Sequence, residues 1–398
     1  MRFAWALVMA AGILAMGQTA LRTGAPTTAP AGRWRTFQTP YYVLHTDLDD
    51  DAAREAWVRV TRMFEAYKRR TAGFSGEISS KFPFYMYRDK KDYIAAGGMK
   101  DSAGIYKWDS ATGGKLMVIA GDEPGPGTWH VVQHEGFHQF AHAVIGGDLP
   151  TWVNEGLAEY FGEGVFTGDE MVTGLILPAR LKRVQEEIRD KDFMPLDKFM
   201  AVTPKEWSDK LTGANYDQAW SMVHFLAHGD NGKYQKALVA YMKAVARGRA
   251  STEAWVEVFG KDVVGFQKKW EEWWAAQEPS ATAELYRKAV VLIFSSYLAR
   301  AATQGQTFAN AEEFFAAAGE GKLKMSKDEW LPPALLAHAL ELKPRTGIFS
   351  LIGKGAEGIK LTCELPDGGK ITGAFVLSGG RVRSVSADVQ SAATKPGK

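Results

Sequence analysis

Cysteine is all but missing from this chain: Cys363 stands alone among 398 residues. One thiol makes no internal disulfide, so stability has to come from a packed core or from a metal. Charge of one sign is missing too. A net charge of +2 argues against nucleic acid as a partner, and the Arg/Lys cluster between Arg54 and Arg70 falls on an amphipathic helical pattern, where it forms a solvated face. Long apolar runs are confined to the beginning. There Arg2 precedes an apolar stretch from Phe3 to Met16 that is too short to cross a bilayer comfortably. Small residues at Ala15, Gly17 and Ala20 offer cleavage points, so residues 1–20 are expected to be a secretory signal peptide. The protein is then exported, periplasmic or secreted, with no stable membrane insertion after cleavage. No cysteine lies nearby for lipid attachment, and no internal repeat is evident.

What remains is ample for folded cores, at 46% hydrophobic and 12% aromatic residues. The Thr/Ala/Pro/Gly-rich stretch that follows reads as a flexible linker over 21–35. Alternation and helical periodicity predict a strand over Phe37–Thr46, a helix over Asp49–Thr71, and strands over Phe82–Tyr87 and Lys115–Ala120. From Gly162 to Trp274 the chain reads as mostly helical, and Val256–Trp274 as a closing helix whose tryptophans belong to the core. Pro279 marks a break. The divisions expected are 36–278 for the main domain, 279–343 for a helical extension, 344–390 for a small β unit with Gly-rich turns, and 391–398 for a frayed tail.

The stretch from Trp129 to Gly162 carries the chemistry. His134, Glu135 and His138 form an H-E-x-x-H; on a helix the two histidines stand one turn apart, about 6 Å along the axis, on one face. Two imidazoles so placed can hold one Zn²⁺, and Glu135 falls beside the ion, where a base must sit. A catalytic zinc needs a third protein ligand and an open position. Glu155 is the candidate. Sixteen residues separate it from His138, enough to end one helix, turn at Gly146-Gly147-Asp148-Leu149-Pro150 and start a second. Asp148 or Thr151 can cap that second helix, with Pro150 near its first turn. Glu159 lies one turn beyond Glu155 and can accept a hydrogen bond from the free ring nitrogen of a zinc histidine. His130 and His142 extend the stripe by one turn each way, too far for one ion, and are expected to cap or support.

The segment His134-Glu135-Gly136-Phe137-His138, followed by Trp152-Val153-Asn154-Glu155-Gly156-Leu157-Ala158-Glu159-Tyr160, resembles the gluzincin metallopeptidases, in particular the peptidase MA-like families of exported bacterial proteins. The resemblance covers roughly Phe37 to Trp274. It implies an α+β, zincin-like metallopeptidase with a small N-terminal mixed sheet and a helical active-site half, followed here by the helical extension and the small C-terminal β unit. It also implies zinc on His134, His138 and Glu155, with Glu135 as general base acting on a peptide or protein substrate. In such folds the strand corresponding to Lys115–Ala120 is a sheet edge along which an extended peptide can bind. The segment opening at Asn215 resembles the one that supplies an active-site tyrosine; Tyr216 is then the oxyanion donor, with His224 as the alternative. The metzincin pattern is absent, since Val144 stands where its third histidine would be. The Gly-x-Met-Glu-Asn motif of aminopeptidase-like members is absent as well, so an endopeptidase is expected, with Glu123 and Glu163 left as loop carboxylates that can hold a free amine. The rival expectation is a peptidase fold retained as a binding or scaffolding module.

Overall fold

The computed structural model describes residues 34–391 apart from 110–112, 146–148, 211, 354 and 356–357. The expected signal peptide, the linker as far as residue 33, Gly146-Gly147-Asp148 and residues 392–398 of the tail therefore lie outside the described residues. Arg35, expected in the linker, opens the first strand. The described residues have a mixed α+β architecture and fall into two compact units, one within 34–164 and 176–281, the other within 165–175 and 282–391.

The first unit begins with a five-stranded mixed sheet of β1 (Arg35–Gln38), β2 (Tyr42–Thr46), β3 (Phe82–Tyr87), β4 (Gly104–Asp109) and β5 (Gly113–Ile119), in the order β1-β2-β3-β5-β4. The single strand expected over Phe37–Thr46 is two, antiparallel to each other. Pro40 cannot donate to a ladder, and the Thr39 hydroxyl accepts from the N–H groups of Tyr42 at 2.7 Å and Tyr41 at 3.2 Å, which fixes a turn there. Strands β2, β3 and β5 run parallel, and β4 pairs antiparallel with β5. This corrects the sheet edge: β5, the strand of Lys115–Ala120, is internal, and β4 is the edge on that side. Leu116, Met117 and Val118 are consecutively buried, as a strand covered on both faces and flanked on both sides requires.

Helix α1 (Asp50–Thr71) is capped by the Asp49 side chain, with Asp50 and Asp51 in its first turn and Lys68, Arg69 and Arg70 in its last, complementing its dipole. Its stripe of Ala53, Ala56, Val60, Phe64 and Tyr67 is buried and packs on the sheet and the central helices. After the short α2 (Lys90–Ala95) come α3 (Pro126–Phe140), which runs on into a π-helical turn at Ala141–Ile145, and α4 (Thr151–Gly162). Pro150 occupies the cap position of α4 with no side-chain cap, and Thr151 is already the first helical residue, so Thr151 does not cap it. Every residue of α4 is buried, because α3 covers one side and α8 the other. The unit continues with α5 (Pro178–Asp190), α6 (Leu196–Phe199), α7 (Pro204–Lys210), α8 (Gly213–Gly232), α9 (Gln235–Ala246), α10 (Ser251–Phe259) and α11 (Val263–Ala275). The expected closing helix over Val256–Trp274 is broken at Gly260, whose φ of 90° suits glycine. Trp270 and Trp274 are core residues whose indole N–H groups reach the Ser221 hydroxyl at 3.2 Å and carbonyl at 3.1 Å.

The second unit contains the hairpin β6 (Val165–Phe166) and β7 (Met171–Val172), the helices α12 (Ala283–Thr303), α13 (Ala311–Gly319) and α14 (Pro333–Thr346), and an antiparallel sheet of β8 (Ile348–Ile352), β9 (Lys360–Glu364), β10 (Lys370–Ser378) and β11 (Arg381–Gln390), in the order β11-β10-β9-β8. The helical and β segments share one core. Gly373 lets α12 approach the sheet, since a Cβ there would stand 2.1 Å from the Ser295 hydroxyl. A buried ion pair, Arg300 to Asp169 at 2.8 Å, ties the hairpin to α12. Cys363 is buried on β9. Among the described residues no helix is long and apolar enough to cross a membrane.

Candidate metal centre

Helical periodicity puts His134 and His138 one turn apart on α3, and the packing of α4 against α3 brings Glu155 to them. The two Nε2 atoms are 3.1 Å apart, and Glu155 Oε2 lies 3.4 Å from that of His134 and 3.6 Å from that of His138. Three lone-pair-bearing atoms thus form a nearly equilateral triangle in a buried place. Ligands bound tetrahedrally at about 2.0–2.1 Å stand about 3.3–3.4 Å from one another, so this donor set fits a small divalent cation. Glu155 Oε2 makes no hydrogen bond of normal geometry, as expected of an atom aimed at an ion. Gly156 sets the spacing of α4 and α8, since a Cβ there would meet the Ala219 carbonyl oxygen at 2.4 Å, whereas one on Gly136 would meet only the flexible tip of Met63, Cε at 2.8 Å.

Glu159 stands as the sequence places it, with Oε1 3.0 Å from His134 Nδ1. That contact fixes the ring and leaves Nε2 pointing at the triangle. Burial opposes a positive charge on His134, but its close contacts with Glu155 and Glu159 and the charges of Glu159 and Glu135 outweigh it and raise its proton affinity well above the imidazole range. His138 is raised in the same sense, burial again being overcome by Glu155. A field that favours a proton at these nitrogens also favours a metal cation. Glu159 is itself held well below the carboxylate range, because Arg180 and His134 outweigh the effect of its burial.

Glu135 is 1% exposed. Its Oε2 accepts the backbone N–H of Tyr106 on the edge strand at 2.8 Å, and its Oε1 has no hydrogen-bond partner. Tyr216, on the first turn of α8, brings its ring centroid to 6.5 Å from that of His134. Its hydroxyl is buried and makes no hydrogen bond of normal geometry. Burial first, then the charge of Glu155, push the phenol far above its usual range, so it remains an O–H donor. His224 packs two turns further along α8 among Trp220, Trp274 and His228. His142 meets the Tyr106 hydroxyl at 2.6 Å through Nδ1 and the edge of Trp108 at 4.3 Å. His130 stays 3.9 Å from Glu159 Oε2.

Among the described residues two further groups have the spacing to hold an ion: His130, His134 and Glu159, and Asp47, Asp89 and Asp92. The first is the poorer cation site of the two histidine groups, because Arg180 Nη1 lies 2.7 Å from the Glu159 oxygen that faces His130. Arg180 is a residue that the motif does not reveal, although its position four before buried Val184 puts it on the apolar face of α5. It also lies 2.8 Å from Glu163, one of the two loop carboxylates expected to be free for an amine. Gln133 is likewise invisible to the motif; its side-chain amide donates to the carbonyls of Phe161, Gly162 and Gly164 at 2.8–3.0 Å, closing the end of α4.

Residues 129–250, from within α3 to the end of the loop after α9, match a family described as a protein of unknown function (DUF1570). No curated protein matches the chain.

Proposed function

We propose that this chain is a zinc-dependent peptidase of the gluzincin type, acting on peptide or protein substrates as an endopeptidase outside the cytoplasm. The observation that carries the proposal is the buried triangle of His134, His138 and Glu155 beside a glutamate with one oxygen held and the other free. Zinc, when bound there, supplies the Lewis acidity that makes water nucleophilic near neutral pH. The rest is the work of the chain's own side chains. The Tyr106 N–H fixes Glu135 through Oε2, so Oε1 is the atom that takes the proton from the attacking water and returns it to the leaving amine. The Tyr216 hydroxyl donates to the carbonyl oxygen as negative charge develops on it. Strand β4, which ends the sheet among the described residues, can take an extended substrate as an added strand next to Glu135. Endopeptidase action is supported by Glu163, which is tied to Arg180 rather than available to a free amino group. Export is supported by the apolar run Phe3–Met16 behind Arg2.

The test is metal analysis of the purified protein together with proteomic mapping of cleavage sites in a peptide library, for wild type and Glu135→Gln. One zinc per chain and cleavage abolished by Glu135→Gln are expected. Zinc bound in both proteins with equal cleavage, or no cleavage by either, would instead favour a peptidase fold kept as a binding module.

A further inference from the structure

On the metal-centre reading above, we infer that Arg180 is a positioning residue of that centre: from α5 it holds both the carboxylate that orients His134 and the helix turn that carries Tyr216. A guanidinium offers five N–H donors in one rigid plane. Here the side chain is 4% exposed and its donors are divided between two helices. Towards α4, Nη1 lies 2.7 Å from Glu159 Oε2 and 2.8 Å from Glu163 Oε1. Towards α8, Nη2 donates to the Tyr216 carbonyl at 3.4 Å, while Nε forms an ion pair with Asp217 Oδ1 at 2.7 Å without hydrogen-bond geometry. The plane itself lies 4.7 Å from the Trp220 ring, which limits its rotation.

Two consequences follow from rigid groups. A carboxylate held at Oε2 has its Oε1 direction fixed, and Glu159 Oε1 is the atom 3.0 Å from His134 Nδ1; the clamp therefore sets the plane of the His134 ring and the aim of its Nε2. On the other side, Asp217 directly follows Tyr216. Arg183 grips the same Asp217 carboxylate at 2.5 and 3.0 Å, so α8 is held at the turn from which the Tyr216 phenol projects. A lysine, with a single point of charge, cannot reach acceptors on both helices at once.

The experiment uses the full-length protein and the variants Arg180→Lys, Arg180→Gln, Glu159→Gln and Arg180→Lys with Glu159→Gln. Thermal melts of the metal-free proteins report folding, competition with a chromogenic chelator reports zinc affinity, and the visible spectrum of the Co²⁺ form reports ligand geometry. Arg180→Lys is expected to stay folded, bind zinc about 10–100-fold more weakly and shift the Co²⁺ bands. Adding Glu159→Gln should weaken zinc little further, because both changes act through one carboxylate. Wild-type zinc affinity with an unaltered Co²⁺ spectrum in Arg180→Lys overturns the inference, as does full additivity in the double variant. Unfolding of metal-free Arg180→Lys overturns it too, by assigning Arg180 to the scaffold alone; Arg180→Gln is read only if it folds. Absence of zinc from the wild type refutes the metal-centre reading itself, a result distinct from equal zinc binding by wild type and variants.

Discussion

At the residue scale the proposed mechanism gives each task to one atom, and substitutions that change one atom separate them. Glu135→Gln keeps shape and removes the base, so on any substrate cleaved it should cost about 10⁴-fold in kcat with zinc retained. Tyr216→Phe deletes one donor to the developing oxyanion and leaves the base in place. It should cost about 10²-fold, and the two variants must rank in that order in steady-state assays at saturating substrate. His228 gives a prediction about pH. Burial, assisted by Arg70, lowers its pKa from 6.5 to about 4, so the folded state resists protonating it. Its contribution to stability is therefore present above pH 6.5 and is lost as pH falls towards 4. His228→Gln keeps an acceptor for the Tyr160 hydroxyl, now 2.9 Å from Nε2, and should flatten the decline in melting temperature between pH 6.5 and 4 seen by differential scanning fluorimetry.

At the scale of elements, the site depends on how closely α4 lies to α8. Gly156 has no side chain because the Ala219 carbonyl occupies the place, 2.4 Å from where a Cβ would be. Backbone atoms do not yield as the tip of a flexible side chain does. Gly156→Ala should force the helices apart at the residue next to Glu155, destabilise by about 1–3 kcal/mol and lower the melting temperature by about 3–10 °C. Zinc affinity measured on the same variant should fall with it, since Glu155 rides on the displaced turn. An unchanged melting temperature and unchanged affinity would mean that the contact is looser than the geometry indicates.

At the scale of the whole molecule, the three proposed ligands, His134, His138 and Glu155, all belong to the unit that contains α3 and α4. Ligand binding stabilises only what it binds, by about 4 kcal/mol at a free concentration a thousandfold above Kd. Scanning calorimetry should therefore show zinc raising the transition of the first unit and a chelator lowering it, with the transition of the second unit unmoved. A uniform shift of both would show that the two unfold as one.

Much of this was legible in residue order because it obeys local periods. An α-helix repeats every 3.6 residues, so His134, Glu135 and His138, and again Glu155 and Glu159, declare their faces without knowledge of the partner helix. Long amphipathic α1, with Asp49 before it, was legible for the same reason. Residue order does not encode which strand ends a sheet: β4 folds back on β5 only through pairing along their length, and the internal place of β5 shows only in the run Leu116-Met117-Val118. Nor does any local period link Arg180 to Glu159 and Asp217, or the Tyr106 N–H to Glu135, since each contact joins elements distant in sequence. Chain order set the ligand types and their helical spacing; tertiary packing alone decided the 3.1–3.6 Å triangle, the strand beside it and the arginine behind it, because those are meetings between separate elements that only a closed core enforces.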